Sequence, residues 1–256
     1  MHRFYDPSLN LFQSQITLSD PNEIHHLRSV LRLKKGDTIV LFNGKGEEAE
    51  GEIIAMDAKR VEVKVEKLKK IEKRGPAIIL ACAIPKRGKF ELIIEKATEL
   101  GVDEIIPLKT ERSEIHLKDE RLKSKHARYQ TVALNAAKQC RRSTIPVVHP
   151  VTPLTDAFEQ FKSKATLVIP SLEEKKTTFL QVFSEIKSPS QIVFFIGPEG
   201  DFSPQEYALA KKAGCIPVTL GETTLRVETA AIAVVAAARL FLNFRYSFGG
   251  VPEIHE

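Results

Sequence analysis

Six short apolar runs, at 77–84, 104–108, 145–148, 165–169, 191–196 and 216–220, recur between longer stretches with helical apolar spacing. No other feature constrains the fold as tightly. Apolar runs of strand length alternating with helices pack as an α/β domain with a mainly parallel sheet. The clearest helix covers 90–100, where Phe90, Ile93, Ile94, Ala97 and Leu100 share one face and Gly101 supplies the stop.

Before residue 76 the rhythm differs. Short β-prone runs at 38–42, 49–56 and 61–65 are separated by turn residues such as Asn43-Gly44, with one helix expected over 22–31. Small β-rich modules of this kind often close as barrels. The stretch 67–75 is highly charged, lacks apolar periodicity and ends in Gly75-Pro76, which predicts a boundary between domains 1–72 and 73–256.

Charge distribution says more than the net +5: residues 1–72 carry 12 Lys+Arg and 12 Asp+Glu, residues 73–150 carry 16 and 9, and residues 151–256 carry 10 and 12. A basic excess confined to the middle of the chain suits a phosphate-rich partner, although a solvated, solubilising face has the same composition. The N-terminus lacks the apolar run of a secretory signal, and the apolar stretch 230–242 is interrupted by Arg239 and reads as a buried helix. A cytosolic protein without a membrane anchor is expected. Cys82, Cys140 and Cys215 are scattered, with no CxxC pair, so neither a disulfide framework nor a metal site is indicated. The adjacent His25-His26 point different ways on a helix and read as packed or partner-facing side chains.

In an open α/β sheet, ligands bind beyond the carboxyl ends of the strands. The fifth run of this half leads into Gly197-Pro198-Glu199-Gly200-Asp201-Phe202 and then Ser203-Pro204-Gln205-Glu206, which has the pattern of a capping box with proline at the first helical position. The sixth ends at Leu220-Gly221 and continues as Glu222-Thr223-Thr224-Leu225-Arg226-Val227-Glu228-Thr229. Either turn alone is an ordinary strand-to-helix connection; together they are expected to follow adjacent strands of one sheet. Neither G-x-G-x-x-G nor a Walker A sequence occurs, so dinucleotide binding and phosphate cradling are not the role of these turns.

These residues resemble those of the ribosomal RNA small subunit methyltransferase E family within the SPOUT superfamily. The matching motifs are Ile196-Gly197-Pro198-Glu199-Gly200 and Leu220-Gly221 with Leu225-Arg226-Val227-Glu228-Thr229-Ala230. His25-His26-Leu27, Val30-Leu31-Arg32-Leu33, Gly36-Asp37, 95–102 and Glu111-Arg112-Ser113 follow in the family's order, over about residues 1–244. Two positions depart from its pattern: the family usually has a second glycine where Asp201 stands and commonly an acidic residue where Lys138 stands.

The resemblance implies a PUA-like N-terminal barrel and an α/β domain whose C-terminal segment is threaded into a trefoil knot. It implies a homodimer that uses S-adenosyl-L-methionine to methylate N3 of a uridine in 16S ribosomal RNA. The cofactor would lie among Pro170, Leu172, Ile196, Gly197, Pro198, Glu199, Gly200, Leu220, Gly221, Leu225 and Arg226. For catalysis, Arg226 is expected to stabilise charge on the uracil carbonyls, with Glu199 or Glu228 orienting it or relaying the proton. A plain ion pair between Arg226 and Glu228 is the competing reading. Lys86, Arg87, Lys89, Arg112, Arg141 and Arg142 follow or precede strands and are expected to hold RNA phosphates on the rim, although Lys89 and some of the others would equally solvate helix ends. A non-catalytic RNA-binding or ribosome-assembly protein, or an enzyme acting on another RNA such as tRNA, is the competing function.

Overall fold

The computed structural model describes residues 1–73, 75–86, 88–113, 119–171, 177–186 and 189–247. The chain divides into two compact units, Met1–Lys73 with Ala137–Ile145, and Arg74–Ala136 with Pro146–Glu256.

The first unit contains β1 (His2–Tyr5), β2 (Gln15–Leu18), α1 (Pro21–His25), β3 (Thr38–Phe42), β4 (Glu47–Met56) and β5 (Val61–Lys70), in the sheet order β1-β3-β4-β5-β2. Asp20 caps α1 through the N–H groups of Asn22 and Glu23, Pro21 stands at its start, and a π-helical turn at His26–Val30 extends it. Ala49 and Ile53 on β4, with Val61 and Val63 on β5, turn inward onto Phe4, Leu18, Ile24, Leu27 and Leu41.

Residues 67–70 extend β5 and do not begin a linker. Lys67 faces Glu50, Lys69 faces Glu48 and Lys70 faces Glu47 across the β4–β5 ladder. Opposite charges replace the apolar alternation by which a strand is normally recognised.

Ala137–Ile145 belongs to the first unit although it lies in the second half of the sequence. Ile145 N–H donates to the Gly44 carbonyl, Gly46 N–H donates to the Ser143 carbonyl, and Lys138 donates to both carboxylate oxygens of Glu23 at 2.7 and 2.8 Å. The Arg3 guanidinium and the Ser143 hydroxyl both donate to Glu48. Although burial opposes it, the hydrogen bonds from Ser143 and Arg3 keep the Glu48 carboxyl below its ordinary range. The run at 145–148 is therefore shared: Ile145 serves the first unit and only the two residues after Pro146 form a strand.

The second unit contains β6 (Ala77–Ala83), α2 (Lys89–Glu99), β7 (Glu104–Lys109), α3 (Asp119–Gln139, of which the part to Ala136 belongs here), β8 (Val147–Val148), β9 (Thr152–Pro153) and α4 (Leu154–Phe161). β10 (Thr166–Pro170), β11 (Thr177–Thr178), α5 (Phe179–Glu185), β12 (Gln191–Ile196), α6 (Pro204–Lys212), β13 (Ile216–Thr219) and α7 (Val227–Ser247) follow. The sheet runs β11-β13-β10-β12-β6-β7-β8, with β9 also on β7, and every pairing in it is parallel.

Helices cover both faces of this sheet. Ile79, Ala81, Val193 and Phe195 meet α4 through Phe158 and Phe161, while Phe194 on the opposite face stacks on Phe179 and Phe183 of α5, and Phe183 meets Phe241 of α7 edge-on. The apolar stretch 230–242 lies within α7, where Ala231, Val234, Val235, Ala238, Phe241 and Leu242 are buried.

Gly101, at φ 91°, turns the chain out of α2, and a Cβ there would meet the Arg239 guanidinium at 2.8 Å. Most consequential is the position of β10, which precedes both β12 and β13 in sequence yet lies between them, so the two strands expected to be neighbours are separated by it. Because the strands are parallel, the segments leaving the carboxyl ends of these three neighbours emerge side by side.

Candidate functional site at the carboxyl ends of β10, β12 and β13

A cavity of about 370 Å³ opens at that edge. Pro170 and Ser171 line it after β10; Ile196, Gly197, Pro198, Glu199 and Asp201 after β12; and 219–226 on the way from β13 to α7, apart from Glu222. Lys89 and Glu228 enter it from the first turns of α2 and α7. Its floor is largely apolar side chain and backbone, with Pro170, Ile196, Pro198, Leu220, Leu225 and Val227 contributing. Gly221 adopts φ 125°, a conformation strained for any residue with a Cβ, and its N–H donates to the Thr219 hydroxyl at 3.2 Å.

The loop after β12 is held from several sides. Asp201 N–H donates to the Pro198 carbonyl at 2.9 Å, closing the turn around Glu199-Gly200. Asp201 itself sits at φ 61°, in the left-handed region that favours glycine. Its carboxylate accepts the N–H of Phe202 at 2.8 Å and the Tyr207 hydroxyl at 2.9 Å, so the side chain offsets the strain it introduces. Ser203 and Glu206 form the expected capping box. The carboxylate of Glu206 also accepts the N–H of Glu111, after β7, and the Arg112 guanidinium donates to the Gly200 carbonyl at 2.6 Å.

Besides Asp201, the lining carries four charged residues, of which Glu199 and Arg226 are exposed and Lys89 and Glu228 half-buried. Glu199 Oε1 accepts the N–H of Lys86 at 2.8 Å. Glu228 Oε1 accepts from Lys89 Nζ at 2.6 Å, and that hydrogen bond, with Arg226 nearby, holds the Glu228 carboxyl below its ordinary range. Arg226 is exposed, and its side chain hydrogen-bonds to none of the described residues. Glu228 is thus hydrogen-bonded to Lys89 and not to Arg226. Beneath them Cys82 is fully buried, and burial, then the carboxylates of Glu199 and Glu228, push its thiol well up.

Of the residues singled out for a cofactor, Pro170, Ile196, Gly197, Pro198, Glu199, Leu220, Gly221, Leu225 and Arg226 line this one cavity. Gly200 belongs to the same loop without lining the cavity, and Leu172 lies outside the described residues. Ser171, Asp201, Thr223 and Thr224 line it without having been expected to hold the cofactor, and so does Lys89, which was expected on the RNA-binding rim or at a solvated helix end. The rule that pointed to residues after each strand covers Lys89, which starts the helix after β6.

The residues expected to hold RNA divide between the units. Lys86 is exposed beside Glu199, Arg112 is exposed but tied to Gly200, and Arg87 lies outside the described residues. Arg141 and Arg142 belong to the first unit; Arg141 is exposed at φ 61°, and Arg142 Nε donates to the Thr144 hydroxyl at 2.9 Å.

Two family models match the chain, one described as an RNA methyltransferase domain over residues 72–239 and one as an RNA methyltransferase PUA domain over residues 18–66. The chain is 31% identical over 241 residues to the ribosomal RNA small subunit methyltransferase E of Rickettsia conorii, covering 93% of this chain and 95% of that one. It is 30% identical over 220 residues to the protein of the same name from Bacillus subtilis, covering 84% and 86%. Among solved structures, that of a ribosomal RNA small subunit methyltransferase E from Neisseria gonorrhoeae, bound to S-adenosyl methionine, is similar with a TM-score of 0.82 and 32% identity, covering 94% and 97%.

Proposed function

The chain belongs to the ribosomal RNA small subunit methyltransferase E family, and on that premise we propose that it uses S-adenosyl-L-methionine to methylate N3 of a uridine in 16S ribosomal RNA. The observation that carries this reading is the convergence of three separate loops on one cavity whose lining includes Lys89, Glu199, Arg226 and Glu228.

The residues present fit the methyl donor. A nucleoside needs an apolar slot with exposed backbone polar groups, and the floor from Pro170, Ile196, Leu220 and Leu225 with the turns at Gly197 and Gly221 offers both. When bound, the donor supplies a methyl group already activated by a positively charged sulfur.

The chain's own task is to align the base and free its nitrogen lone pair. Uracil N3 carries a proton at neutral pH, and its removal spreads negative charge onto the flanking carbonyl oxygens. Arg226, exposed and uncommitted, is the donor for that charge. Glu228, engaged by Lys89 and held ionised, is a poor proton acceptor. Glu199 has one oxygen on the Lys86 N–H and its other oxygen unbonded among the described residues, so the proton goes to Glu199.

The wider proposal has the first unit, a PUA-type module, binding RNA, with Lys86, Arg87, Arg112, Arg141 and Arg142 on phosphates and residues 1–72 and 73–256 as the two functional domains. It also holds that the protein works as a homodimer in the cytoplasm, where ribosomal subunits are assembled. A trefoil threading of the C-terminal segment completes it. That threading is supported by the sheet order, since the chain leaves β13 beyond β10 and must recross the end of β12 to reach α7, which packs on β6.

The decisive experiment maps 3-methyluridine in 16S ribosomal RNA from cells with and without the gene, then restores the mark with purified protein and S-adenosylmethionine. One uridine loses and regains its methyl group. An unchanged map overturns the proposal in favour of a non-catalytic assembly role, and a mark lost from tRNA instead reassigns the substrate.

A further inference from the structure

We infer that Lys89 contacts the substrate: its ammonium, fixed by Glu228 at 2.6 Å, donates to one carbonyl oxygen of the target uracil while Arg226 donates to the other. This deepens the function proposed above and rests on it.

The argument begins with the base. Uracil N3 lies between two carbonyls, so losing its proton leaves negative charge shared by N3 and the oxygens on both sides. A single cation reaches only one side. The cavity contains two, Arg226 on the segment before α7 and Lys89 at the first residue of α2, carried by separate elements that can flank a ring.

Local stability does not call for a lysine at position 89. A positive charge at the first residue of a helix opposes the helix dipole, and Gly88 at the cap position provides no side-chain hydrogen bond to offset it. Glu228, by contrast, already sits favourably in the first turn of α7. The pair therefore serves Lys89 more than Glu228: the carboxylate fixes an ammonium where the helix would repel it. Violations of local preference of this kind concentrate at functional sites.

Geometry leaves the ammonium available. The Lys89 side chain is 35% exposed and that of Glu228 14%, so the contact is sheltered from full solvent screening yet open to the cavity. One of the three ammonium protons is on Glu228, leaving two for a ligand. Lys89 is thus a catalytic residue and Glu228 a positioning residue. The reaction balances without another participant: the N3 proton passes to Glu199, the N3 lone pair forms the new N–C bond, and the S–C bond breaks with its electrons remaining on sulfur, giving a neutral thioether.

The test compares wild type, Lys89→Met and Glu228→Gln on target RNA carrying either uridine or 5-fluorouridine at the modified position, with cofactor affinity followed by calorimetry. Fluorine makes N3 more acidic and so supplies what Lys89 supplies. Lys89→Met is expected to lower kcat by about 100-fold with cofactor affinity unchanged. Its rate is expected to recover at a pH about one unit or more above that of wild type. 5-Fluorouridine restores much of the loss in Lys89→Met and changes wild type little, and Glu228→Gln shows the same pattern to a smaller degree. Full activity in Lys89→Met overturns the inference. So does a loss explained by weaker cofactor binding, or one accompanied by neither a pH shift nor rescue by fluorine. If wild type places the methyl group on another atom, the uridine-N3 reading falls and this one with it; an indifferent Lys89→Met in an enzyme that does methylate N3 removes only the role of Lys89.

Discussion

Glu206 accepts the N–H of Glu111 with one carboxylate oxygen and the N–H of Ser203 with the other, each at 2.8 Å. A single buried side chain thereby caps its own helix and fastens the segment after β7 to the loop after β12. Replacing it with alanine leaves two sheltered N–H groups without acceptors, which is expected to cost about 2–4 kcal/mol. Thermal unfolding of Glu206→Ala against Glu206→Gln, which keeps one acceptor oxygen, measures it. An alanine variant as stable as wild type removes the fastening role.

Asp201 offers a second test because its backbone and side chain pull in opposite directions. The left-handed conformation disfavours any side chain, while the bonds from Phe202 and Tyr207 reward this one. Asp201→Ala keeps the strain and loses the bonds, so a destabilisation of about 1–2 kcal/mol is expected. Asp201→Gly relieves the strain and is expected to fall within about 1 kcal/mol of wild type. Chemical denaturation of both variants distinguishes them, and equal losses would show that the backbone conformation is unimportant.

The Lys89–Glu228 contact gives stability a pH dependence. Its hydrogen bond holds the folded Glu228 carboxyl below its ordinary value of 4.5, so the contribution is complete above that pH and is lost as pH falls through the lower folded value. Acid titration of the melting temperature is expected to be steeper for wild type than for Glu228→Gln below pH 4.5 and parallel to it near neutrality. A parallel course throughout would mean that the contact adds nothing to stability.

Removing the Arg226 guanidinium addresses the chemical step. Arg226→Ala is expected to lower kcat by about 100-fold or more while cofactor affinity, read by calorimetry, stays near wild type. Normal turnover in that variant would assign the arginine to the surface.

Charge reversal separates two kinds of arginine. Arg141→Glu is expected to weaken RNA binding and reduce the salt slope by about 1, leaving cofactor binding intact. Arg112→Glu should affect both, because its guanidinium also holds the Gly200 carbonyl. Filter binding across a salt series, with cofactor calorimetry on each variant, makes the comparison; an unchanged slope for Arg141→Glu removes it from the interface.

Much of the sheet was legible because its strands announce themselves. The run 191–196 is observed as β12 at the same bounds, and Ser203-Pro204-Gln205-Glu206 forms the capping box its spacing implied. Local patterns carried those features, and wherever contacts were long-range they fell silent. The charged end of β5 looked like a linker because its partners, Glu47, Glu48 and Glu50, lie on another strand. Nothing near Ala137–Ile145 signals that it belongs with residues 1–73, since the bonds responsible come from Gly44 and Gly46. In the site, the glycine turns were readable and the ion pair was not. Lys89 and Glu228 are 139 residues apart, and only the folded sheet brings them together.

The place of β10 between two strands made after it has a consequence for the newborn chain. During translation β10 is made before either of the strands that will flank it, and the segment bearing Arg226 and Glu228 is made after both. A nascent polypeptide of this sequence therefore lacks part of the cavity lining until the residues after β13 have been added. The pocket is thus a late product of synthesis, complete only when the last of its three loops has been made.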